Sequence, residues 1–333
     1  MAHTTIPTVT DEVERAERSR AALNDAATRV SSRSTLVGLV LSLRPAQWTK
    51  NLFVFFGLIF GQRLFDPRAV ALACGAFAIF CALSGVVYLV NDVADRDADR
   101  LHPLKRKRPI ASGQVPVNVA IATAVALAVV GLAAAWALRP TFALVALVYV
   151  VLQTLYSGPL KHIVIVDVLT IAVGFVLRAI AGAVVIPVPI SQWLLILTVL
   201  LALFLALSKR RHELTLLADG ATSHRPILEE YSPYLLDQMI AVVTASTLIS
   251  YVMYAVSPET VEKFHTHNLG LTLVFPLYGI FRYLYLVHKK EGGGNPADML
   301  LTDTPLLLCV ALWGLAAVAI IYGAGLHLFG LNS

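Results

Sequence analysis

Nine runs of roughly twenty apolar residues, separated by short polar loops, leave this chain few ways to fold. One of them, Ala69 to Val90, carries no formal charge. That length lets an α-helix cross the hydrocarbon core of a bilayer. Inside lipid every backbone N–H and C=O must be paired within the protein, which admits helices and closed barrels. Barrel strands alternate apolar and polar positions, whereas these runs are continuous. Charged residues make up 14% of the 333, against about a quarter in soluble domains. The fold class is therefore all-α: a polytopic transmembrane helix bundle with about nine spanning helices.

The spans are expected at 38–62, 69–92, 116–138, 140–157, 163–186, 191–208, 236–257, 268–288 and 304–329. "LRPT" breaks the chain before the fourth, and "IPVPI" separates the fifth from the sixth. Residues 1–33 are polar and read as a surface helix or tail, leaving 34–333 as the membrane domain. Loops after even-numbered spans carry thirteen Lys and Arg, and loops after odd-numbered spans carry four. Basic loops stay in the cytoplasm, so the N-terminus is expected inside a bacterial plasma membrane. The three cysteines lie in apolar runs and show no disulfide or zinc spacing. The net charge of +5 suits an anionic leaflet and phosphorylated ligands. Nucleic acid is the poorer partner, because the cations sit in loops between spans.

Where the second span ends, the chain reads "NDVADRDADRLHPLKRKRPIASG". At ~100° per residue, Asn91, Asp92, Asp95 and Asp99 project within one arc if the helix continues, and Asp97 points elsewhere. Carboxylates sharing a stripe repel unless a cation lies between them. Oxygen-only donors suit a hard divalent ion, and Mg²⁺ commonly bridges to phosphate oxygens. Lys105 and Arg108 then offer charge to the rest of a diphosphate. The plainer explanation, a solvated helix end with ordinary inside cations, accounts for Lys105–Arg108 but not for the acidic spacing. The site is thus expected at the cytosolic boundary, with Asp92, Asp95 and Asp99 as catalytic carboxylates.

N-D-x-x-D-x-x-x-D at this place resembles the first aspartate-rich motif of the UbiA superfamily of intramembrane prenyltransferases. The likeness implies that Asn91, Asp92, Asp95 and Asp99 hold Mg²⁺ and a substrate diphosphate. "LRPAQWTKN", "YSGPLKHIVIVD", "LRAIAGA" and "SKRRHEL" narrow it to the branch that moves phosphoribose from phosphoribosyl diphosphate to a polyprenyl phosphate, for cell-wall arabinan precursors. Aromatic prenyltransferases carry a second acidic motif near "SKRRHELTLLADG". Here Lys209 and Arg210 replace much of that acid, beside Glu213 and Asp219.

The remaining candidates stay open between structure and substrate. Lys50 after Trp48 is an interfacial snorkeller or, through the resemblance, a phosphate contact. Lys161 and Asp167 flank the fifth span; Asp167 pairs with Lys161, helps the metal or binds ribose. Arg178, eleven residues on, falls near mid-membrane and faces the bundle interior, to bind lipid phosphate or a structural partner. Gly174 and Gly182 around it allow close helix contact. Lys209 and Glu213 pair at i, i+4, or Lys209 and Arg210 grip the donor phosphates. Arg211 and His212 read as surface residues, Arg282 as a snorkeller, and Tyr88, Tyr149 and Tyr156 as packing. A homo-oligomer is compatible with all of this. Two rival functions remain: prenyl transfer to an aromatic or other acceptor, and a transporter or flippase, which leaves the one-sided acidic stripe unexplained.

Overall fold

The computed structural model describes residues 34–103, 105–218, 226–289, 299–300 and 302–323, all in helices and connecting turns, with no strand among them. The expected helix within 1–33, Asp219 and the glycine-rich stretch 291–298 lie outside the described residues. In chain order come α1 (34–42), a 3-10 segment (Pro45–Phe55), α2 (Phe56–Phe60), α3 (Pro67–Ala94), α4 (Arg96–Leu101), α5 (Val117–Leu138) and α6 (Pro140–Ser157). Then follow α7 (Val166–Val185), α8 (Gln192–Ala218), α9 (Pro233–Val256), α10 (Pro258–Phe264), a 3-10 turn (Asn268–Leu273) leading into α11 (Val274–Lys289), and α12 (Thr304–Gly323). Eight of these helices are long and apolar enough to cross a membrane.

The helix starts follow from local chemistry. Asp66 accepts hydrogen bonds from the backbone N–H groups of Arg68 and Ala69, with Pro67 at the first helical position of α3. Ser232 and Ser257 cap α9 and α10 in the same way, each followed by a proline. Such caps satisfy N–H groups that a helix start cannot pair internally. Arg139 is extended, and Pro140 opens α6 behind it, as "LRPT" indicated.

The first expected span departs from a single α-helix. The chain turns at Arg44, whose φ of 52° and ψ of 64° are left-handed, and continues as an eleven-residue 3-10 coil before the five residues of α2. At ~2.0 Å per residue for 3-10 and ~1.5 Å for α, this segment covers about 30 Å. That equals the hydrocarbon core, so sixteen residues suffice where an α-helix needs about twenty. Hydropathy registers the apolar run and not the coil's pitch. The segment also approaches α7 closely. A Cβ built on Gly182 would fall 1.8 Å from the Val54 carbonyl oxygen, and one on Gly57 would fall 2.7 Å from the Ala183 nitrogen. Gly174 faces α6 instead, where its Cβ would meet Gln153 at 2.4 Å.

Helix α3 packs against α5, α6, α7 and the 3-10 segment, while α8 lies between α7 and α9. One apolar core gathers Val54, Phe80, Leu83, Phe142 and Tyr149; another gathers Phe204, Leu207, Leu236 and Tyr283. Large apolar side chains also point outward, among them Val129, Val130, Trp136, Val242 and Leu315. An exterior this apolar is costly in water and matched to lipid tails. Up-and-down alternation brings the start of the 3-10 segment, the ends of α3, α6, α8 and α11, and the starts of α7 and α9 to one end of the bundle.

Gly182→Val should force the α7 and 3-10 backbones apart. Overpacking of this kind costs about 1–3 kcal/mol, so the purified variant should melt several degrees lower in detergent. Adding Val54→Ala should not rescue the glycine variant, because the obstruction is the Val54 carbonyl and not its side chain.

Candidate active site at one end of the bundle

Helix α3 ends at Ala94, and Asp95 makes the joint to α4. The joint is shallow: the Asp95 N–H donates to the Asn91 carbonyl at 2.9 Å and the Asp99 N–H to the Asp95 carbonyl at 2.8 Å. The acidic stripe therefore survives across it, with Asp92 and Asp99 buried and Asp95 half-buried. Asp97 points away and pairs with Arg100 at 4.0 Å.

Cations from three other segments hold these acids. Arg108 Nη1 donates to Asp92 Oδ1 at 3.1 Å and to Asp99 Oδ2 at 2.6 Å. Arg44 donates to the same Asp92 oxygen and lies over the Tyr88 ring, 4.6 Å from its centroid. Lys161 Nζ reaches Asp95 Oδ1 at 3.0 Å, and Asn91 Nδ2 donates to the other Asp95 oxygen at 3.1 Å. The expected set of four converging ligands is thus divided: Asp92 with Asp99, and Asn91 with Asp95. Among the described residues no group of three His, Cys, Asp or Glu side chains closes on one point. The donor chemistry still fits a hard cation, since one positive centre already sits between two buried carboxylates.

A second network begins six residues after Lys161. Asp167 is fully buried, and its partner is Arg210, not Lys161. Arg210 Nε donates to Asp167 Oδ2 at 3.0 Å and Nη1 donates to Glu213 Oε2 at 2.7 Å, with Tyr156 Oη 3.4 Å from Nη2. Tyr231 completes the set by donating to Asp167 Oδ1 at 2.8 Å. The Tyr231 oxygen in turn accepts from the Ile165 N–H at 2.8 Å. Ile165 has a φ of 69°, a strained value for a β-branched residue that costs about 1–3 kcal/mol. Burial, helped by the bond to Asp167, pushes the Tyr231 hydroxyl up to about 12, so it remains a neutral donor at physiological pH. Lys209 stands 4.0 Å from Glu213, the i, i+4 pair the spacing indicated. These side chains lie within α8, because that helix runs on to Ala218 and does not stop near 208.

Arg178 lies deeper and forms a third cluster. Its Nε donates to Asn51 Oδ1 at 2.8 Å, Nη1 to the Gly174 carbonyl at 2.8 Å and Nη2 to Tyr149 Oη at 2.8 Å. Asn51 is fully buried and also donates to Ser84 Oγ at 3.2 Å and Cys81 Sγ at 3.3 Å. Lys50 and Lys105 are half-buried at the same end.

Several readings change here. His212 is buried, not on the surface, and Arg211 pairs with Asp237 on α9 at 3.0 Å. Arg282 holds Asp303 through two bonds, 3.1 and 2.8 Å, instead of snorkelling. Tyr88 and Tyr149 contact arginines, so packing is only part of their role. Arg44, Asn51 and Tyr231 join these networks beyond the residues expected from the sequence. Arg44 and Asn51 stand inside "LRPAQWTKN", within the first expected span. Tyr231 carried no sequence signal, because its partner is 64 positions away.

The model of the UbiA prenyltransferase family matches residues 51–302 of this chain. A protein of Mycobacterium tuberculosis named decaprenyl-phosphate phosphoribosyltransferase is 34% identical over 284 residues, covering 84% of this chain and 92% of that protein. One of the same name from Corynebacterium glutamicum is 31% identical over 309 residues, covering 90% and 92%. Among solved structures, a UbiA homologue from Archaeoglobus fulgidus bound to GPP and Mg²⁺ superposes with a TM-score of 0.62, at 18% identity, over 86% of this chain and 99% of that one. At that identity the likeness concerns the fold.

Asp167→Ala should strand Arg210 in the bundle. Removing one partner of a buried pair costs roughly 3–5 kcal/mol, so thermal unfolding should show a larger loss than for Tyr231→Phe, which removes one hydrogen bond. Equal melting of the two variants would contradict this assignment.

Proposed function

This chain belongs to the UbiA prenyltransferase family, and from that premise we propose that it transfers 5-phosphoribose from phosphoribosyl diphosphate to a polyprenyl phosphate of the decaprenyl kind. One observation carries the reading. Relatives matched over more than four-fifths of both chains bear the name decaprenyl-phosphate phosphoribosyltransferase. "SKRRHEL" supports it: in place of a second acidic cluster, the end of α8 presents Lys209 and Arg210 against Asp167 and Glu213.

The donor's diphosphate is taken to lie beside Asp92, Asp95 and Asp99, with Arg44, Lys105, Arg108 and Lys161 supplying positive charge around it. Asp92 and Asp99, with Asp95 and Asn91 beside them, would hold Mg²⁺, which when bound would supply positive charge to the diphosphate oxygens. A phosphate oxygen of the lipid forms the new bond at C1 from the opposite side, with inversion, and diphosphate leaves. The acceptor is already an anion and needs no strong base. The residues' task is mostly to position two anions and screen their repulsion. Lys50 and Lys209 are taken to meet further phosphate oxygens. Arg210 and Asp167, held by each other, shape the ribose side. Arg178 holds a positive charge beneath the site, toward the lipid phosphate.

In this reading the bundle spans a bacterial plasma membrane with the site at the cytoplasmic face. The count of basic loop residues supports that orientation, and the cell-wall arabinan role goes with the relatives' chemistry.

Membranes holding the chain should convert labelled phosphoribosyl diphosphate and polyprenyl phosphate to a labelled phosphoribosyl lipid, identified by mass spectrometry. Asp92→Asn and Asp99→Asn should lower the rate at least a hundredfold, about 2.7 kcal/mol of transition-state stabilisation. A labelled product from a prenyl diphosphate and an aromatic acceptor, with none from phosphoribosyl diphosphate, would overturn the assignment in favour of prenyl transfer.

A further inference from the structure

The acids of the α3–α4 stripe are fully neutralised by the chain's own cations. Asp92, Asp95 and Asp99 contribute three negative charges, and Arg44, Arg108 and Lys161 contribute three positive ones within 3.1 Å of them. A divalent cation arriving alone would add two positive charges to a site whose acids are already paired with cations. Uncompensated charge in such surroundings is strongly unfavourable. The same metal arriving with a diphosphate brings its own compensation, because the ligand's negative charge exceeds the metal's positive one.

Exposure separates the cations into two kinds. The side chains of Arg44, Arg108 and Lys161 are 28%, 27% and 23% exposed, while those of Asp92 and Asp99 are 3% and 4% exposed. Asp92 and Asp99 are fixed in the bundle, and Arg44 and Arg108 reach in to them from the rim, while the Lys161–Asp95 pair lies wholly at the rim, with Asp95 32% exposed. Arg210, by contrast, is 2% exposed and locked to Asp167 at 0%. Rim cations on flexible stems can change partner without unpacking a helix. Arg210 cannot.

We propose that Arg44, Arg108 and Lys161 are exchangeable counter-ions, which hold the stripe carboxylates in the ligand-free protein and pass to phosphate oxygens when a metal ion and a diphosphate enter together. The proposal rests on the functional reading above and adds to it a rule of assembly. Metal and donor load as one coupled unit, and the resident cations compete with the metal until the donor draws them off. Coupling between two ligands of one site typically amounts to 5–150-fold in affinity.

Two binding measurements on the purified full-length chain in lipid nanodiscs test this, and neither uses turnover. Mn²⁺ alone is titrated by its free-ion electron paramagnetic resonance signal. Labelled phosphoribosyl diphosphate is then bound with and without saturating Mn²⁺. Arg108→Gln should bind Mn²⁺ alone about tenfold more tightly than the unchanged chain, and bind the donor about tenfold more weakly. Lys161→Met should move both affinities in the same directions, and Arg108→Lys should stay near the unchanged chain in both. Opposite shifts in the two assays are the signature, since a misfolded variant loses both affinities. Weaker or unchanged Mn²⁺ binding by both Arg108→Gln and Lys161→Met would overturn the exchange. Donor binding indifferent to Mn²⁺ would instead overturn the metal-dependent reading of the site, while the Mn²⁺-alone arm would still decide the exchange.

Discussion

Formal charge inside a helix bundle must be answered locally, and the rest of this structure depends on how that is done. The acidic stripe at the end of α3 is compatible with a compact fold because Arg44, Arg108 and Lys161 arrive from three other segments. Asp167 is compatible with full burial because Arg210 and Tyr231 close on it from α8 and from the turn before α9. Apart from Arg108, which folds back over 9 and 16 positions, these pairings join segments more than forty positions apart, so the charges that suit the site to phosphorylated ligands also tie the helix ends together. Such pairs add little net stability over apolar packing. They fix which helix end meets which.

The two networks differ in how freely they can respond to a ligand. Around Asp167 every partner is buried or strained into place, down to the positive φ of Ile165 held by the Tyr231 oxygen. Around Asp92 and Asp99 the acids are fixed and the cations are at the rim. A rigid wall beside an adjustable one suits a reaction that brings two anions together and releases a third. Arg178 lies deeper, held by hydrogen bonds to Asn51, Gly174 and Tyr149.

Much of the bundle was legible in the chain. Continuous apolar runs gave the long helices, and Pro140 and "IPVPI" marked two of the breaks. The spacing of Asn91, Asp92, Asp95 and Asp99 placed the stripe, because an α-helix turns through a known angle per residue. The winding of the first span is illegible in the sequence, since hydropathy is blind to whether a run winds as α or 3-10. The pairings were illegible for a different reason. Lys161 reads as the neighbour of Asp167, yet the turn between them points it to Asp95 on another helix. Tertiary packing decides such choices, and no local spacing encodes them. Arg44 falls within the first expected span, and only the left-handed turn there aims it at Asp92.

The central claim is that the Asp92 and Asp99 carboxylates form the seat of a metal-bound diphosphate. A structure of the protein with Mn²⁺ and phosphoribosyl diphosphate, with diffraction collected to reveal manganese by its anomalous scattering, tests it most directly. The account predicts a manganese peak between those two carboxylates, with diphosphate density touching it. A peak elsewhere in the bundle, or donor density seated away from α3 and α4, would contradict it.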